Sequence, residues 1–184
     1  MKRFKIYNSE TTFYYSTCTI IAWLPIFQKE KYFNVIIDSL KYCQKNKGLY
    51  LLGYVIMPTH LHLITSNSED TTLSDIMRDF RQYTSKKIRK LLEEYKQIQF
   101  LKIFEKAASK LEKQTYRIWK DGYHPVALKS EKWFHEKINY LHANPVRKGF
   151  VEIPEYWKFS SARNWILNDN SIITIDKGQV FTEG

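Results

Sequence analysis

The chain of 184 residues carries 29 Lys and Arg against 19 Asp and Glu, a formal net charge of +10 at pH 7. Aromatic residues make up 16% of the chain, and 13 of them are Tyr. This length is enough for one domain with its own core. A basic, aromatic-rich composition favours a nucleic-acid partner, because cations neutralise phosphates and rings stack on unpaired bases. The alternative is a solvated basic surface.

The same composition argues against several protein classes. No apolar run approaches the ~20 residues of a membrane span, so we expect no membrane partner. Cys18 and Cys43 lack the spacing of a metal site, and we expect both to be reduced thiols. The charged segment Met1–Glu10 does not resemble a signal peptide, so we expect a cytoplasmic location.

The first half of the chain predicts strands and one helix. β-branched and aromatic residues predict a strand over Thr12–Trp23. Apolar residues at helical spacing predict a helix over Glu30–Asn46, and Gly48 ends it. The next two strands are predicted on either side of a turn, at Leu49–Met57 and His60–Ser66.

The second half is predicted to be mostly helical. The predicted segments are a helix at Thr71–Lys90, a broken helix at Leu91–Gln114, a short extended piece at Tyr116–Trp119, helices at Ser130–Ala143 and Ser160–Leu167, and a weak strand and tail at Asp169–Gly184. The order strand, helix, strand, strand, helix, with one further strand, is typical of a ferredoxin-like α+β fold. We therefore predict an antiparallel sheet with helices on one side, followed by a C-terminal helical extension.

Two histidines one residue apart suggest a metal site. In a strand, alternate side chains share a face, so His60, His62 and Ile64 point one way, and Leu61 and Leu63 the other. We expect the leucines to face the core and the imidazoles to face solvent, as two ligands of a metal site. The alternative is a pair of surface histidines on an amphipathic strand. Elsewhere, we expect a solvated His135 and a structural His142.

Basic side chains cluster in two places. They bind DNA phosphates or are simply solvated, and where they bind they set affinity more than sequence specificity. The residues are Arg78, Arg81, Lys86, Lys87, Arg89 and Lys90 on the Thr71–Lys90 helix, and Arg147 and Lys148 after the Ser130–Ala143 helix.

Five ordered segments resemble the REP-associated tyrosine transposases, a group of the single-tyrosine HUH (His, hydrophobic, His) transposases. They are "GYVIMPTHLHLI", "LSDIMRDFRQYTSKKI", "IWKDGYHPV", "YLHANPVRKGFV" and "YWKFSSARN". The resemblance implies one domain over residues 1–184, with a core of about 12–128. It also implies a homodimer acting on single-stranded or hairpin DNA, in the cytoplasm and associated with the nucleoid.

The resemblance also implies a chemistry. In such enzymes two histidines hold Mg²⁺ or Mn²⁺, which polarises the scissile phosphate, and the resemblance assigns this role to His60 and His62. A tyrosine attacks phosphorus and stays attached through a 5′-phosphotyrosine. The alternative within this fold is a cleavage-deficient DNA-binding protein. A ferredoxin-like RNA-binding module is a third interpretation, against which the histidine pair argues.

The nucleophile departs from the family pattern. The family tyrosine usually follows a Trp in a pattern like W-Q-x-G-[FY]-Y, whereas this chain reads "WKDGYH" over residues 119–124. An ungapped match puts His124 in the nucleophile's place and Tyr123 one position earlier. Tyr123 is then a shifted nucleophile, or His124 is a third metal ligand or base, or cleavage has been lost. Ala127 and Leu128 offer no polar third ligand, which favours His124 in that role. Tyr83 is a second candidate nucleophile, better explained as a packing or DNA-contacting aromatic residue.

Overall fold

The computed structural model describes residues 12–109 and 115–179. Its strands are β1 (Phe13–Thr19), β2 (Leu49–Met57), β3 (His60–Asn67) and β4 (Val126–Leu128). Its α-helices are α1 (Glu30–Lys47), α2 (Leu73–Glu94), α3 (Ile98–Ala108), α4 (Glu131–His142), α5 (Asn144–Arg147) and α6 (Ala162–Leu167). The C-terminal ends of two predicted segments, at 110–114 and 180–184, lie outside the described residues.

The four strands form one antiparallel sheet in the order β2-β3-β1-β4. This is the strand order of a ferredoxin-like fold, so the predicted α+β class is confirmed. The β2–β3 hairpin pairs Met57 with His60, and β1 lies against β3 with Thr17 opposite His62. The central hairpin therefore places both histidines in the middle of the sheet, beside β1.

Helices α1 and α2 cover the first face of the sheet. The alternate β1 residues Tyr14, Ser16 and Cys18 are buried on this face. Gly48 ends α1 as predicted, with a left-handed φ of 66°, and a Cβ there would collide with the Ser68 side chain. The Thr72 hydroxyl caps α2 by accepting from the Asp75 amide.

Helix α4 covers the second face, and this corrects one expectation. The imidazoles were expected to face solvent, but His62 is only 7% exposed. The C-terminal extension supplies a second apolar layer, in which Phe134 and Ile138 of α4 pack on the His62 face of the sheet. Gly53 leaves room for the Ile138 side chain, since a Cβ there would collide with it. His62 is therefore buried under the extension, while His60 at the strand end remains partly exposed.

Several element boundaries also differ from the predictions. The first strand ends at Thr19, because the chain turns at Ile21–Trp23, where Ala22 and Trp23 have left-handed backbones. Of the predicted extended piece before the Asp121 turn, only Trp119 pairs, in an isolated bridge with Ile20. Between residues 169 and 179 the chain forms no strand and ends in the 3-10 turn Lys177–Gln179.

Candidate functional site

The two histidine rings lie side by side at the start of β3. Their centroids are 4.8 Å apart, and the rings meet edge to face at 75°. The strand alternation that puts both on one face was predicted from the sequence. The pair is thus a preformed feature of the hairpin.

Hydroxyl groups hold both rings through Nδ1. His62 Nδ1 lies 2.8 Å from the Tyr15 hydroxyl and 2.7 Å from Thr17 Oγ1. His60 Nδ1 lies 2.8 Å from Thr59 Oγ1. When Nδ1–H donates to such an oxygen, the lone pair is on Nε2, which is the tautomer that binds a metal. The Tyr15 ring also stacks on His62, at 5.5 Å between centroids.

Burial favours the neutral form of both imidazoles. Burial lowers the pKa of His62 to about 3, with smaller contributions from His60, Arg147 and Lys137. Burial and nearby Lys148 also lower the pKa of His60. Neutral imidazole is the form that ligates metals. The nearby cations Lys137, Arg147 and Lys148 form a basic rim around the two imidazoles and would attract a phosphate.

Tyr140 is the tyrosine that α4 brings to the histidine face. Its ring lies 6.2 Å from that of His62 and 6.3 Å from that of Tyr15, and it is 45% exposed. The Arg147 guanidinium lies 4.2 Å from this ring and Lys137 Nζ lies 5.5 Å from it. Sequence reasoning missed Tyr15, Lys137 and Tyr140. The alternation of β1 could have indicated Tyr15, but no sequence signal placed α4 over this face.

Tyr123 occupies the opposite side of β1. Its hydroxyl is buried near Ser16 and Cys18, on the side that packs against α1 and α2. Burial, with a smaller contribution from Cys18, raises the pKa of Tyr123 above its usual range. Neither the Tyr123 nor the Ser16 hydroxyl makes a hydrogen bond of normal geometry within the described part of the chain. In this conformation the predicted nucleophile does not face the histidine pair.

His124 is exposed, and its ring lies against the turn at Gly122. Across residues 12–109 and 115–179, no three His, Cys, Asp or Glu side chains come together as a metal cluster. The role of His124 as a third ligand therefore stays a prediction. Two imidazoles suit Mn²⁺ better than Mg²⁺, which prefers oxygen ligands. The donor set fits a metal that takes its other ligands from water and substrate oxygens.

The cations of α2 lie on the α1–α2 side of the sheet, away from the histidines. Arg78 pairs with Asp75 and Asp79, at 2.5 and 3.1 Å, and Arg89 pairs with Glu93 at 2.7 Å. The others differ in exposure. Arg81 is half-buried and donates to the Lys120 carbonyl, whereas Lys86, Lys87, Lys90 and the 50% exposed Tyr83 face outward.

Only part of the predicted DNA-binding set therefore lies near the histidines. Arg147 and Lys148 do so, at the end of α5. Of the remaining histidines, His135 is solvated, as expected. His142 is buried and structural, with Nε2 2.8 Å from Ser161 Oγ.

Comparison with known proteins points to one family. A family model described as "Transposase IS200 like" matches residues 22–144. A structure of a REP-associated tyrosine transposase bound to a REP hairpin matches with a TM-score of 0.64 and 14% identity, covering 100% of this chain and 93% of that one. A candidate transposase from Deinococcus radiodurans R1 matches with a TM-score of 0.49 and 16% identity, over 76% of this chain and 95% of that one. A comparison with curated protein sequences gave no match. No helix among the described residues is long and apolar enough to span a membrane.

Proposed function

Because the chain belongs to the IS200-like transposase family, we propose that it binds single-stranded or hairpin DNA and cuts and rejoins one strand at the His60–His62 pair. The observation that carries this proposal is a pair of adjacent imidazoles, each held at Nδ1 by a hydroxyl and bordered by Lys137, Arg147 and Lys148. The REP-associated transposase of similar fold was solved with a REP hairpin, which supports hairpin DNA as the substrate to test. A homodimer acting on nucleoid-associated DNA in the cytoplasm belongs to the same proposal.

The metal would be held by Nε2 of His60 and His62. Mn²⁺ or Mg²⁺ bound there would supply a Lewis acid to the scissile phosphate. Other side chains of the protein would orient the ligands and bind the phosphate. Thr17 and Tyr15 fix the orientation of the His62 ring, and Arg147 and Lys148 neutralise phosphate charge.

The chemical step is a transfer of one phosphodiester bond. A tyrosine oxygen attacks phosphorus and loses its proton, the bond from phosphorus to the 3′ oxygen breaks, and that oxygen leaves as a hydroxyl. The 5′-phosphotyrosine linkage retains the energy of the cleaved phosphodiester bond. A 3′ hydroxyl on another strand can therefore attack it, which re-forms a phosphodiester bond and releases the tyrosine. Tyr140 is better placed for this attack than Tyr123, because it lies on the histidine face. The sequence-based assignment of Tyr123 stays a prediction that the next experiment tests.

A second candidate function is DNA binding without cleavage. The buried Tyr123 hydroxyl favours it, since the tyrosine nearest the family's nucleophile position is turned away from the histidines. In that protein the histidine pair and its basic rim would bind a phosphate without transferring it.

A covalent-adduct assay separates the two functions. Labelled hairpin DNA with single-stranded flanks is incubated with the protein and Mn²⁺ and run on a denaturing gel, beside the variants His62→Ala, Tyr140→Phe, Tyr123→Phe and Tyr83→Phe. We expect a protease-sensitive adduct that is lost in His62→Ala and Tyr140→Phe and kept in the other two. If Tyr123→Phe were the only tyrosine variant to lose the adduct, Tyr123 would be the nucleophile. Tight binding with no adduct would establish the non-cleaving function.

A further inference from the structure

Trp23 presents an aromatic ring at the surface, just beyond the end of β1. It is 60% exposed, and both it and Ala22 have left-handed backbones, with φ of 50° and 54°. Such a conformation is unfavourable for a residue with a bulky side chain and persists where the surroundings hold it. Here the Trp23 amide donates to the Ile20 carbonyl at 3.0 Å, and the Ile21 amide donates to the Ile118 carbonyl at 2.8 Å. The fold therefore fixes an unfavourable turn that directs a large apolar ring to solvent.

Lys120 lies over this ring. Its ammonium is 3.4 Å from the Trp23 ring centroid, a cation–π contact. The Lys120 amide donates to the Thr19 carbonyl at 2.8 Å, which fixes the backbone of Lys120 at the end of β1. An aromatic face beside a fixed cation matches the two parts of a nucleotide, a flat base and a charged phosphate.

Trp23 and Lys120 lie at the end of β1, next to the residue that pairs with His60. Thr19, which accepts from Lys120, is paired with His60 in the register of β1 and β3. A cleft of about 140 Å³ beside Thr19 and Lys120 opens on the α1–α2 side of the sheet, where Tyr123, the half-buried Arg81 and the acidic Asp121 also line it, so only the edge of β1 at Thr19 connects it to the histidine face. Arg81 Nε is buried and has no hydrogen-bond partner among the described residues, and the Tyr123 hydroxyl lies beside that of Ser16. Polar atoms of this kind suit a polar ligand group entering from the cleft.

We propose that Trp23 and Lys120 bind an unpaired base of single-stranded DNA next to the phosphate held at His60. The base stacks on the exposed face of the Trp23 indole that Lys120 does not cover, and the Lys120 ammonium contacts the adjoining phosphate. This inference rests on the proposed function, because it takes the histidine pair as the DNA site. Stacking of this kind tolerates any base, so the site fixes the path of the strand more than its sequence.

The test measures affinity for a labelled hairpin with a single-stranded flank by fluorescence anisotropy. The variant is Trp23→Gly, because glycine adopts the left-handed backbone without strain and removes only the ring. The matched control is Trp133→Gly, which removes a 46% exposed ring on α4. Far-UV circular dichroism checks that both variants fold. We expect Trp23→Gly to weaken binding by about tenfold or more, and Trp133→Gly to change it by less than about twofold.

Abasic nucleotides placed one at a time along the flank locate the base. At one position the loss of the base should weaken the wild type and leave Trp23→Gly unaffected. Tight wild-type binding that Trp23→Gly does not change would overturn this site while leaving the proposed function intact. A wild type that binds none of the hairpins would overturn the proposed function, and this site with it.

Discussion

Replacing Tyr123 with Phe tests the placement of the predicted nucleophile. The Tyr123 hydroxyl is buried and makes no hydrogen bond of normal geometry among the described residues. Burying a hydroxyl without a partner costs about 1–3 kcal/mol, so removing it should cost nothing and should recover part of that amount. We expect Tyr123→Phe to leave the free energy of unfolding unchanged or to raise it by about 1 kcal/mol.

A matched control comes from a hydroxyl that does have partners. Thr84 Oγ1 donates to the Phe80 carbonyl at 2.8 Å and accepts from Trp119 Nε1 at 3.0 Å. Thr84→Val keeps the shape but leaves the buried indole N–H unpaired, so it should lower the free energy of unfolding by about 1–3 kcal/mol. Urea unfolding followed by circular dichroism measures both variants. A loss of more than about 1 kcal/mol in Tyr123→Phe would show that this hydroxyl has a partner and would refute the argument.

Three further predictions concern acid stability, salt dependence and the docking of α4. Burial lowers the pKa of His142 to about 4, from about 6.5 in an unfolded chain. Below pH 6.5 the unfolded state therefore binds a proton at His142 that the native state does not bind until the pH approaches 4. His142 alone should therefore contribute a loss of up to about 3 kcal/mol between about pH 7 and pH 4, in addition to the losses from His60 and His62, and His142→Gln should remove this part of the pH dependence in urea titrations at several pH values. Arg147→Ala should reduce the slope of log affinity against log salt concentration for a single-stranded probe by about 0.7, whereas the ion-paired Arg78→Ala should not change it. Gly53→Ala would place a Cβ against Cδ1 at the end of the buried Ile138 side chain, which must then shift, so thermal unfolding should show a loss of about 1 kcal/mol, and a gain in stability would contradict the packing of α4.

Local patterns predicted much of the core. The glycine after α1 and the proline-containing turn before His60 each determine structure over a few residues, and both predictions are confirmed, whereas β3 forms where predicted but is buried on both faces. The ferredoxin-like order followed from these elements because short connections allow few arrangements. The shared face of His60 and His62 was predicted for the same reason.

The second face of the sheet could not be predicted in this way. Whether α4 packs over His62 depends on contacts between residues far apart in the chain, such as Ile138 with Gly53, and no local pattern records them. Tyr140 and Lys137 were missed for that reason. The side of β1 that Tyr123 occupies likewise depends on a loop whose path is set by bonds to distant segments, such as that from the Lys120 amide to Thr19.

The central claim, that His60 and His62 together hold a metal at a DNA phosphate, is tested most directly by electron spin-echo spectroscopy of bound Mn²⁺. Coordinated imidazole nitrogen modulates the echo, whereas water and phosphate oxygen do not produce that signal. With hairpin DNA present, we predict nitrogen modulation in the wild type, a weaker signal in His60→Ala, and its loss when His60 and His62 are both replaced by Ala. Bound Mn²⁺ without nitrogen modulation in the wild type, or a signal that survives in the double variant, would contradict the claim.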